Sequence, residues 1–161
     1  MAMTFSDKQS SFITAPFEHT LEVLEGTPRS GKTTASHFRY ARYLLETEDT
    51  NHLIVAFNQE QAYRLMIDGD GTGLKHIFGD YCKDKMDKKM GQYLEITTHK
   101  GIKNVFYRGG GKSNDVGSIT GMSLGSVVFC EINLLHPNMI QECFRRTFAA
   151  TNRFHMADLN P

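Results

Sequence analysis

The chain has 161 residues, of which 40% are hydrophobic and 22% are charged, and this size and composition are those of one ordinary globular domain. Lysine and arginine together number 18, and aspartate and glutamate also number 18. This balance excludes a strongly basic protein, so any contact with nucleic acid has to come from a local patch or from an assembly.

Cysteine usage and the N-terminus indicate the compartment. Cys82, Cys130 and Cys143 are scattered and fit neither a disulfide framework nor a paired-cysteine metal site, which favours a reducing environment. The first 12 residues lack the pattern of a secretion signal, and no apolar run is long enough to span a bilayer. We therefore expect a cytoplasmic protein without membrane contact.

The first half of the chain alternates helices and strands. Residues 6–14 predict a short helix, and residues 20–26 predict a strand that leads into a glycine-rich loop. Residues 33–46 predict a helix, and the apolar run 52–57 is typical of a strand buried on both faces. Asn58 stands at the N-cap position of the next helix. The apolar stripe expected on the second helix consists of Thr34, Phe38, Ala41 and Leu45.

The second half continues the alternation. Residues 83–89 are charged with mixed signs and predict a solvated surface, with contact to DNA as the alternative. Further strands are predicted at residues 93–97, 104–108, 125–132 and 153–161, and a helix is predicted at residues 136–148. Such alternation indicates an α/β domain with a mostly parallel sheet. Because the chain stops directly after a predicted strand, we expect it to be part of a longer protein or to end at an engineered boundary.

The most specific motif is the loop Gly26-x-x-x-x-Gly31-Lys32-Thr33 between a predicted strand and a predicted helix, which is the P-loop pattern. Its glycines let backbone N–H groups surround a phosphate, and the positive end of the following helix faces the same phosphate. We expect Lys32 to reach the β- and γ-phosphates and the Thr33 hydroxyl to ligate Mg²⁺. The expected nucleotide cradle consists of Gly26, Thr27, Pro28, Arg29, Ser30, Gly31, Lys32, Thr33 and Thr34.

Two residues near the cradle each have two interpretations. Arg29 lies inside the loop, where it would stabilise charge in the transition state as arginine fingers do; alternatively it faces solvent or an ion-pair partner. Gln9 precedes the first strand, where a glutamine that contacts adenine would suit. Ser6 and Gln9 also have the spacing of a capping box, so both interpretations stay open.

A second motif is the acidic end of the apolar run 125–132. A carboxylate at the end of a buried strand is typical of a Walker B motif, in which an Asp helps to hold Mg²⁺ and a following Glu activates water. Glu131 takes the second place, but Cys130 takes the first, and a thiol is a poor ligand for a hard cation. We expect Mg²⁺ to be held by Thr33, the phosphates and water, with Glu131 acting through water. The alternative is that the ATPase activity is weak. A strand that merely ends in Glu is a further alternative.

Three segments together resemble phage terminase large subunits, the ATPase motors that package viral DNA. They are residues 26–34 with the loop arginine, residues 118–137 around Glu131, and residues 154–161, which end in DLNP. The order of the motifs along the chain is similar to that in the family, and the similarity extends from about Gln9 to Pro161. The resemblance implies a three-layer P-loop NTPase fold of the ASCE or RecA-like type, with a mostly parallel central sheet that is incomplete at its C-terminal end.

The resemblance also implies roles for individual residues. Lys32 and Thr33 match the Walker A pair, Arg29 matches the P-loop arginine and Glu131 matches the catalytic glutamate, with Cys130 as the departure from the usual Asp. Gln9 and Asn160 match, respectively, the adenine-contacting glutamine and the end of the coupling motif. In the family, that motif relays the state of the γ-phosphate to the rest of the motor.

The expected biology follows from the same resemblance. Residues 1–161 would form one ATPase domain, the N-terminal part of a terminase large subunit without its nuclease domain, so we expect no nuclease activity. The implied cofactors are ATP and Mg²⁺, and the implied partners are double-stranded DNA, the portal protein and the small terminase subunit. The resemblance also implies that the protein forms a homo-oligomeric ring during packaging and is a monomer otherwise. The implied location is the host cytoplasm.

Two other classes of function stay open. One is a different P-loop NTPase, such as a helicase-like ATPase or a small nucleotide kinase, although Glu131 favours water as the phosphate acceptor. The other is an inert nucleotide-binding fragment, because Cys130 replaces a metal ligand. For this chain alone we expect nucleotide binding with weak hydrolysis.

Overall fold

A single mixed sheet of seven strands organises the described part of the chain, which in this computed structural model comprises residues 4–18, 20–25 and 32–159. Of Lys32 only the main chain is described. Residues 26–31, the first six of the nine residues of the expected cradle, and Asn160 lie outside the described residues. The roles expected for them therefore stay predictions.

Strands and helices alternate along the chain much as the sequence predicts. The strands are β1 (Leu21–Glu25), β2 (Asn51–Ala56), β3 (Cys82–Asp87), β4 (Gly91–Thr98), β5 (Gly101–Gly109), β6 (Ser126–Phe129) and β7 (Phe154–Leu159). The α-helices are α1 (Asp7–Thr14), α2 (Lys32–Glu46), α3 (Gln59–Ala62), α4 (Leu74–Phe78) and α5 (Pro137–Arg145). A π-helical turn, Tyr63–Asp68, continues α3. No helix in the described ranges is long and apolar enough to cross a membrane.

The sheet has a large parallel part and a small antiparallel part. Its strand order is β1-β7-β6-β2-β5-β4-β3. The first five strands in this order are mutually parallel, and β4 and β3 add an antiparallel extension beside β5. The expected α/β fold with a mostly parallel central sheet is confirmed.

Helices cover both faces of the parallel strands, which makes three layers. On one face Leu44 of α2 belongs to a buried cluster that includes Ile54 of β2. On the other face Met139 of α5 belongs to a second cluster, with Val55 of β2 and Phe129 of β6. Neighbouring residues of β2 thus point to opposite faces, and both faces are apolar. This arrangement explains the continuous apolar run that the sequence shows there.

The charged residues 83–89 overlap a strand that the sequence analysis did not predict. Residues Cys82–Asp87 form the edge strand β3, whose side chains are mostly exposed. Lys83 and Lys85 lie 4.0 and 3.0 Å from the carboxylate of Glu95 on the neighbouring strand. Alternating charges of this kind suit an edge strand because they oppose pairing with another chain. The solvated surface was predicted correctly, and the strand was missed because it lacks an apolar face.

The apolar stripe expected on α2 is wrong in part. Leu45 is 37% exposed, whereas Tyr40 and Leu44 are fully buried. The hydroxyl of Tyr40 lies 2.6 Å from the Ser126 hydroxyl. A tyrosine whose hydroxyl has a partner can be buried like a phenylalanine, so the buried face of α2 is rotated toward its tyrosines.

One buried arginine joins the elements that lead into the predicted cradle. Arg39 of α2 is 2% exposed, and its guanidinium donates to both carboxylate oxygens of Glu22 on β1, at 2.9 and 2.6 Å. It also donates to the carbonyl oxygens of Ala15 and Pro16, just after α1. Such a charge is stable in the interior only with partners of this kind. The contacts hold β1 and α2 together on either side of residues 26–31.

We expect Arg39→Ala to lower the free energy of unfolding by about 3 kcal/mol or more, because it leaves the Glu22 carboxylate without its partner. Arg42→Ala is the matched control. Arg42 also donates to the carbonyl of Ala15, but its side chain is 30% exposed, so the loss should be about 1 kcal/mol or less. Urea denaturation of the two variants checks this, and equal losses would contradict the role given to the buried pair.

Candidate functional site

The carboxyl ends of the parallel strands meet at one edge of the sheet, here called the carboxyl edge. The register aligns Val23 of β1, Ala157 of β7, Phe129 of β6 and Val55 of β2 in one row. In open α/β sheets ligands bind in the crevice beyond these ends. The residues that follow the row on each strand are therefore the candidates for a site.

The first component of the site is the start of α2. Strand β1 ends at Glu25, at the carboxyl edge, and the described part of α2 begins at Lys32. The N-terminus of a helix carries unpaired N–H groups and a positive partial charge, which suit a phosphate. Thr33 and Thr34 lie half-buried in this first turn. The described main chain thus has a strand before and a helix after the predicted loop, as a P-loop requires.

The second component is the end of β6. Its strand geometry stops at Phe129, which is earlier than the sequence predicted. The N–H of Cys130 still donates to the carbonyl of Val55, at 2.8 Å, but Glu131 adopts the left-handed conformation with φ 51° and ψ 62°. A short 3₁₀ turn, Ile132–Leu134, follows. The chain therefore turns away from the sheet at Glu131, whose half-buried side chain lies at the carboxyl edge.

Cys130 is a buried thiol at this edge. It is 3% exposed and belongs to the apolar cluster on the α2 face of the sheet. Burial raises the pKa of the thiol well above its usual value, and the nearby carboxylates of Asp158 and Glu131 raise that pKa further. The thiol is therefore neutral at physiological pH. A neutral thiol does not fit Mg²⁺, so Cys130 is not suited to bind this metal.

The structure adds one residue to the site that the sequence analysis did not select. The carboxylate of Asp158, at the end of β7, accepts a hydrogen bond from the main-chain N–H of Glu131. In this segment the sequence motif points to Asn160 alone. The same signal that identified Glu131 was present for Asp158, namely an acidic residue at the carboxyl end of a predicted parallel strand.

Oxygen donors at this edge fit a hard cation better than the thiol does. The half-buried carboxylates of Glu131 and Asp158 lie there together with the first turn of α2, which carries Thr33. Among the described residues, however, no group of three or more histidine, cysteine or acidic side chains is arranged to hold a metal ion. A cation at this edge would depend on Thr33, nucleotide phosphates and water for most of its ligands.

The capping box predicted at the start of α1 is present. Gln9 donates its main-chain N–H to the Ser6 hydroxyl at 3.1 Å, and the Gln9 side-chain oxygen accepts the Ser6 main-chain N–H at 2.9 Å. Helix α1 packs on α2, where the rings of Phe5 and Phe38 make an edge contact at 5.1 Å. An adenine contact from Gln9 stays a prediction beside this structural role.

A separate open cleft of about 480 Å³ lies at the opposite edge of the sheet. Its walls include Phe17, Tyr43 and Asn152, and the Tyr43 hydroxyl donates to the Asn152 carbonyl oxygen at 2.6 Å. The strands begin at this edge, so the cleft is remote from Glu131 and from the start of α2. None of the sequence-predicted site residues that the structure describes lines it.

Comparison with known proteins agrees with the fold. The family described as terminase large subunit, T4likevirus-type, N-terminal matches residues 23–152. The large terminase of a thermophilic bacteriophage aligns with 99% of this chain and 40% of its own, with a TM-score of 0.81 and 20% identity. Its complex with ADP aligns with 98% of this chain and 39% of its own, with a TM-score of 0.78 and 20% identity. The chain thus spans about 40% of that terminase.

A second terminase has a related fold. The ATPase domain of the Thermus phage P74-26 large terminase aligns with 97% of this chain and 69% of its own, with a TM-score of 0.56 and 15% identity. A search of curated proteins found no match. The structural matches confirm the P-loop fold expected from the sequence.

We expect Cys82 to be the thiol that reacts with a disulfide reagent in the folded protein, because it is half-buried whereas Cys130 and Cys143 are buried. Burial raises the pKa of the Cys82 thiol as well, so its reaction should be slower than that of a free thiol. Titration of the folded protein and of Cys82→Ser checks this. Rapid reaction of the Cys82→Ser variant, abolished by adding Cys130→Ser, would contradict a buried and neutral Cys130.

Proposed function

The chain belongs to the T4-type terminase large-subunit N-terminal family, and we propose that it is an ATP-binding and ATP-hydrolysing motor domain that powers the packaging of viral double-stranded DNA. One observation supports this most strongly. Glu131 leaves the sheet at the same carboxyl edge at which β1 leads toward the first turn of α2. A phosphate cradle and an acidic side chain at one edge are what hydrolysis of a nucleotide requires.

In the proposed mechanism the start of α2 binds the phosphates. The main-chain N–H groups of residues 26–31 other than Pro28, and the ammonium of Lys32, would hold the β- and γ-phosphates, and Thr33 would bind Mg²⁺. Bound Mg²⁺ would neutralise charge on the phosphate oxygens. Gln9 would contact the adenine. The large terminase of the thermophilic bacteriophage was solved in complex with ADP and with ATP-γ-S, which supports a nucleotide as the ligand of this fold.

The chemical step in this proposal depends on Glu131. Its carboxylate would accept a proton from the attacking water, or orient that water, and would interact with Mg²⁺ through a second water. Arg29 would stabilise the charge that develops on the γ-phosphoryl group. Because Cys130 offers no ligand to the metal, we expect slow hydrolysis by this chain alone. Asn160 would relay the state of the γ-phosphate to the rest of the motor.

The biological setting is part of the same proposal. Family membership supports double-stranded DNA, the portal protein and the small terminase subunit as partners, and the host cytoplasm during packaging as the location. A homo-oligomeric ring would let several weak DNA contacts act together, which suits a chain with no net charge. The chain alone would be a monomer.

An inert nucleotide-binding module is the second candidate, and the buried neutral thiol of Cys130 is the observation that favours it. Both candidates bind ATP, but only the motor domain turns it over. A nucleotide kinase is less well supported, since Glu131 favours water as the acceptor.

We expect Glu131→Gln to bind ATP within about 3-fold of the wild-type affinity and to lower kcat at least about 100-fold, because the residue acts on water and not on the bound nucleotide. Lys32→Ala should weaken ATP binding at least about 10-fold, because it removes charge-assisted hydrogen bonds to phosphate. Calorimetric titration and single-turnover phosphate release measure the two quantities.

Glu95→Gln is the matched control for these variants. Glu95 is also half-buried, but it lies on β4 and pairs with Lys83 and Lys85, away from the carboxyl edge. Its substitution should change neither binding nor hydrolysis. Wild-type protein that binds ATP without any turnover would favour the inert module, and unchanged ATP affinity in Lys32→Ala would contradict the nucleotide site.

A further inference from the structure

The backbone at Glu131 is unusual. Outside glycine, only Asp70 and Glu131 have a positive φ within the described ranges. The left-handed conformation is unfavourable for a residue with a side chain and persists only where its surroundings hold it. Such positions concentrate at functional sites. The contacts that hold Glu131 are therefore part of the candidate site.

Those contacts come from both sides of the residue. Along a strand, successive N–H groups point to opposite neighbours. The N–H of Cys130 donates to the Val55 carbonyl on the β2 side, whereas the N–H of Glu131 donates to the Asp158 carboxylate on the β7 side. The carbonyl of Glu131 accepts the N–H of Leu134 at 2.8 Å. A charged acceptor makes the hydrogen bond from Glu131 a strong one.

Asp158 also connects the components of the site. The paired residues of β6 and β7 end at Phe129 and Ala157, so a side chain takes over where the main-chain ladder stops. On its other side β7 pairs with β1, where Asp158 lies opposite Leu24. Asp158 therefore stands between the strand that leads into the predicted cradle and the turn that carries Glu131.

We propose that Asp158 is a positioning residue for Glu131, which holds the left-handed turn through the Glu131 main-chain N–H and so fixes the direction in which the Glu131 side chain leaves the sheet. This inference rests on the proposed function. In this proposal Asp158 acts only through the main chain of Glu131 and touches neither substrate nor the reacting atoms.

The central experiment compares Asp158→Asn with Asp158→Ala. The asparagine side chain keeps an oxygen that accepts the Glu131 N–H, whereas alanine removes it. We expect Asp158→Ala to lower kcat for ATP at least about 10-fold, with nucleotide affinity and the Mg²⁺ concentration at half-maximal rate unchanged. Asp158→Asn should stay within about 5-fold of the wild-type kcat.

Asp49 offers a matched control for loss of a structural carboxylate. It is also half-buried, and its carboxylate accepts the main-chain N–H groups of Thr151 and Asn152 at 2.9 and 2.7 Å. These contacts lie at the opposite edge of the sheet. Asp49→Ala should therefore lower the unfolding midpoint in urea without lowering kcat of the folded protein.

A second measurement does not depend on hydrolysis. In the NMR spectrum of ¹⁵N-labelled protein, the Glu131 amide proton should move upfield in Asp158→Ala and less in Asp158→Asn, because the charged acceptor is lost. Fast exchange of this amide with solvent should accompany the change in Asp158→Ala. An unaltered Glu131 amide in that variant would overturn the proposal.

The kinetic outcomes separate this proposal from the proposed function. Wild-type hydrolysis that Glu131→Gln abolishes, together with a wild-type kcat in Asp158→Ala, would overturn the role of Asp158 alone. Equal losses of kcat in Asp158→Asn and Asp158→Ala, together with a raised Mg²⁺ concentration at half-maximal rate, would also overturn it. Asp158 would then act on the metal through its charge. Absence of hydrolysis by the wild-type chain would contradict the proposed function itself. It would also contradict the expected effect of Asp158 on kcat.

Discussion

The parallel register of β1, β7 and β6 is the constraint on which the candidate site depends. It brings the carboxyl ends of these three strands to one edge. Strand β1 leads toward α2, β6 ends just before Glu131, and β7 carries Asp158. These three segments are far apart in the chain, so their proximity exists only in the folded sheet. The buried contacts of Arg39 with Glu22 on β1 hold α2 against the same strands.

The acidic groups at this edge differ from the Walker B pattern, in which an Asp directly precedes the Glu. The residue before Glu131 is the buried thiol Cys130, and the second carboxylate beside Glu131 comes from the neighbouring strand as Asp158. Burying a second ionised carboxylate at position 130 without a cation would be costly. A neutral thiol avoids that cost and fills the apolar cluster on the α2 face. The two carboxylates that remain, those of Glu131 and Asp158, are half-buried at the carboxyl edge.

Much of this organisation could be predicted because it depends on local patterns. The apolar run of β2 and the N-cap at Asn58, whose side chain accepts the N–H of Gln61, are where the sequence places them. The P-loop fold is confirmed, and the role of each cradle residue remains a prediction. Strand β3 was missed because its charged residues lack a hydrophobic period, and pairing with β4 determines its conformation.

Other features could not be derived from local patterns. The buried face of α2 depends on partners distant in sequence, such as Ser126 for the Tyr40 hydroxyl. The left-handed turn at Glu131 likewise depends on Asp158, which lies on another strand. Long-range hydrogen bonds of this kind decide which polar residues are buried and where a strand ends. Sequence patterns identified the acidic residue, but only the folded sheet shows what holds it.

The central claim is that nucleotide binds at the carboxyl edge, between the start of α2 and the turn at Glu131. Titration of ¹⁵N-labelled protein with Mg²⁺ and ATP-γ-S, followed by amide chemical shifts, tests it most directly. We expect the largest shifts in residues 26–34 and at Cys130, Glu131 and Asp158. Shifts confined to the opposite edge, around Tyr43 and Asn152, or no saturable shifts at all, would contradict it.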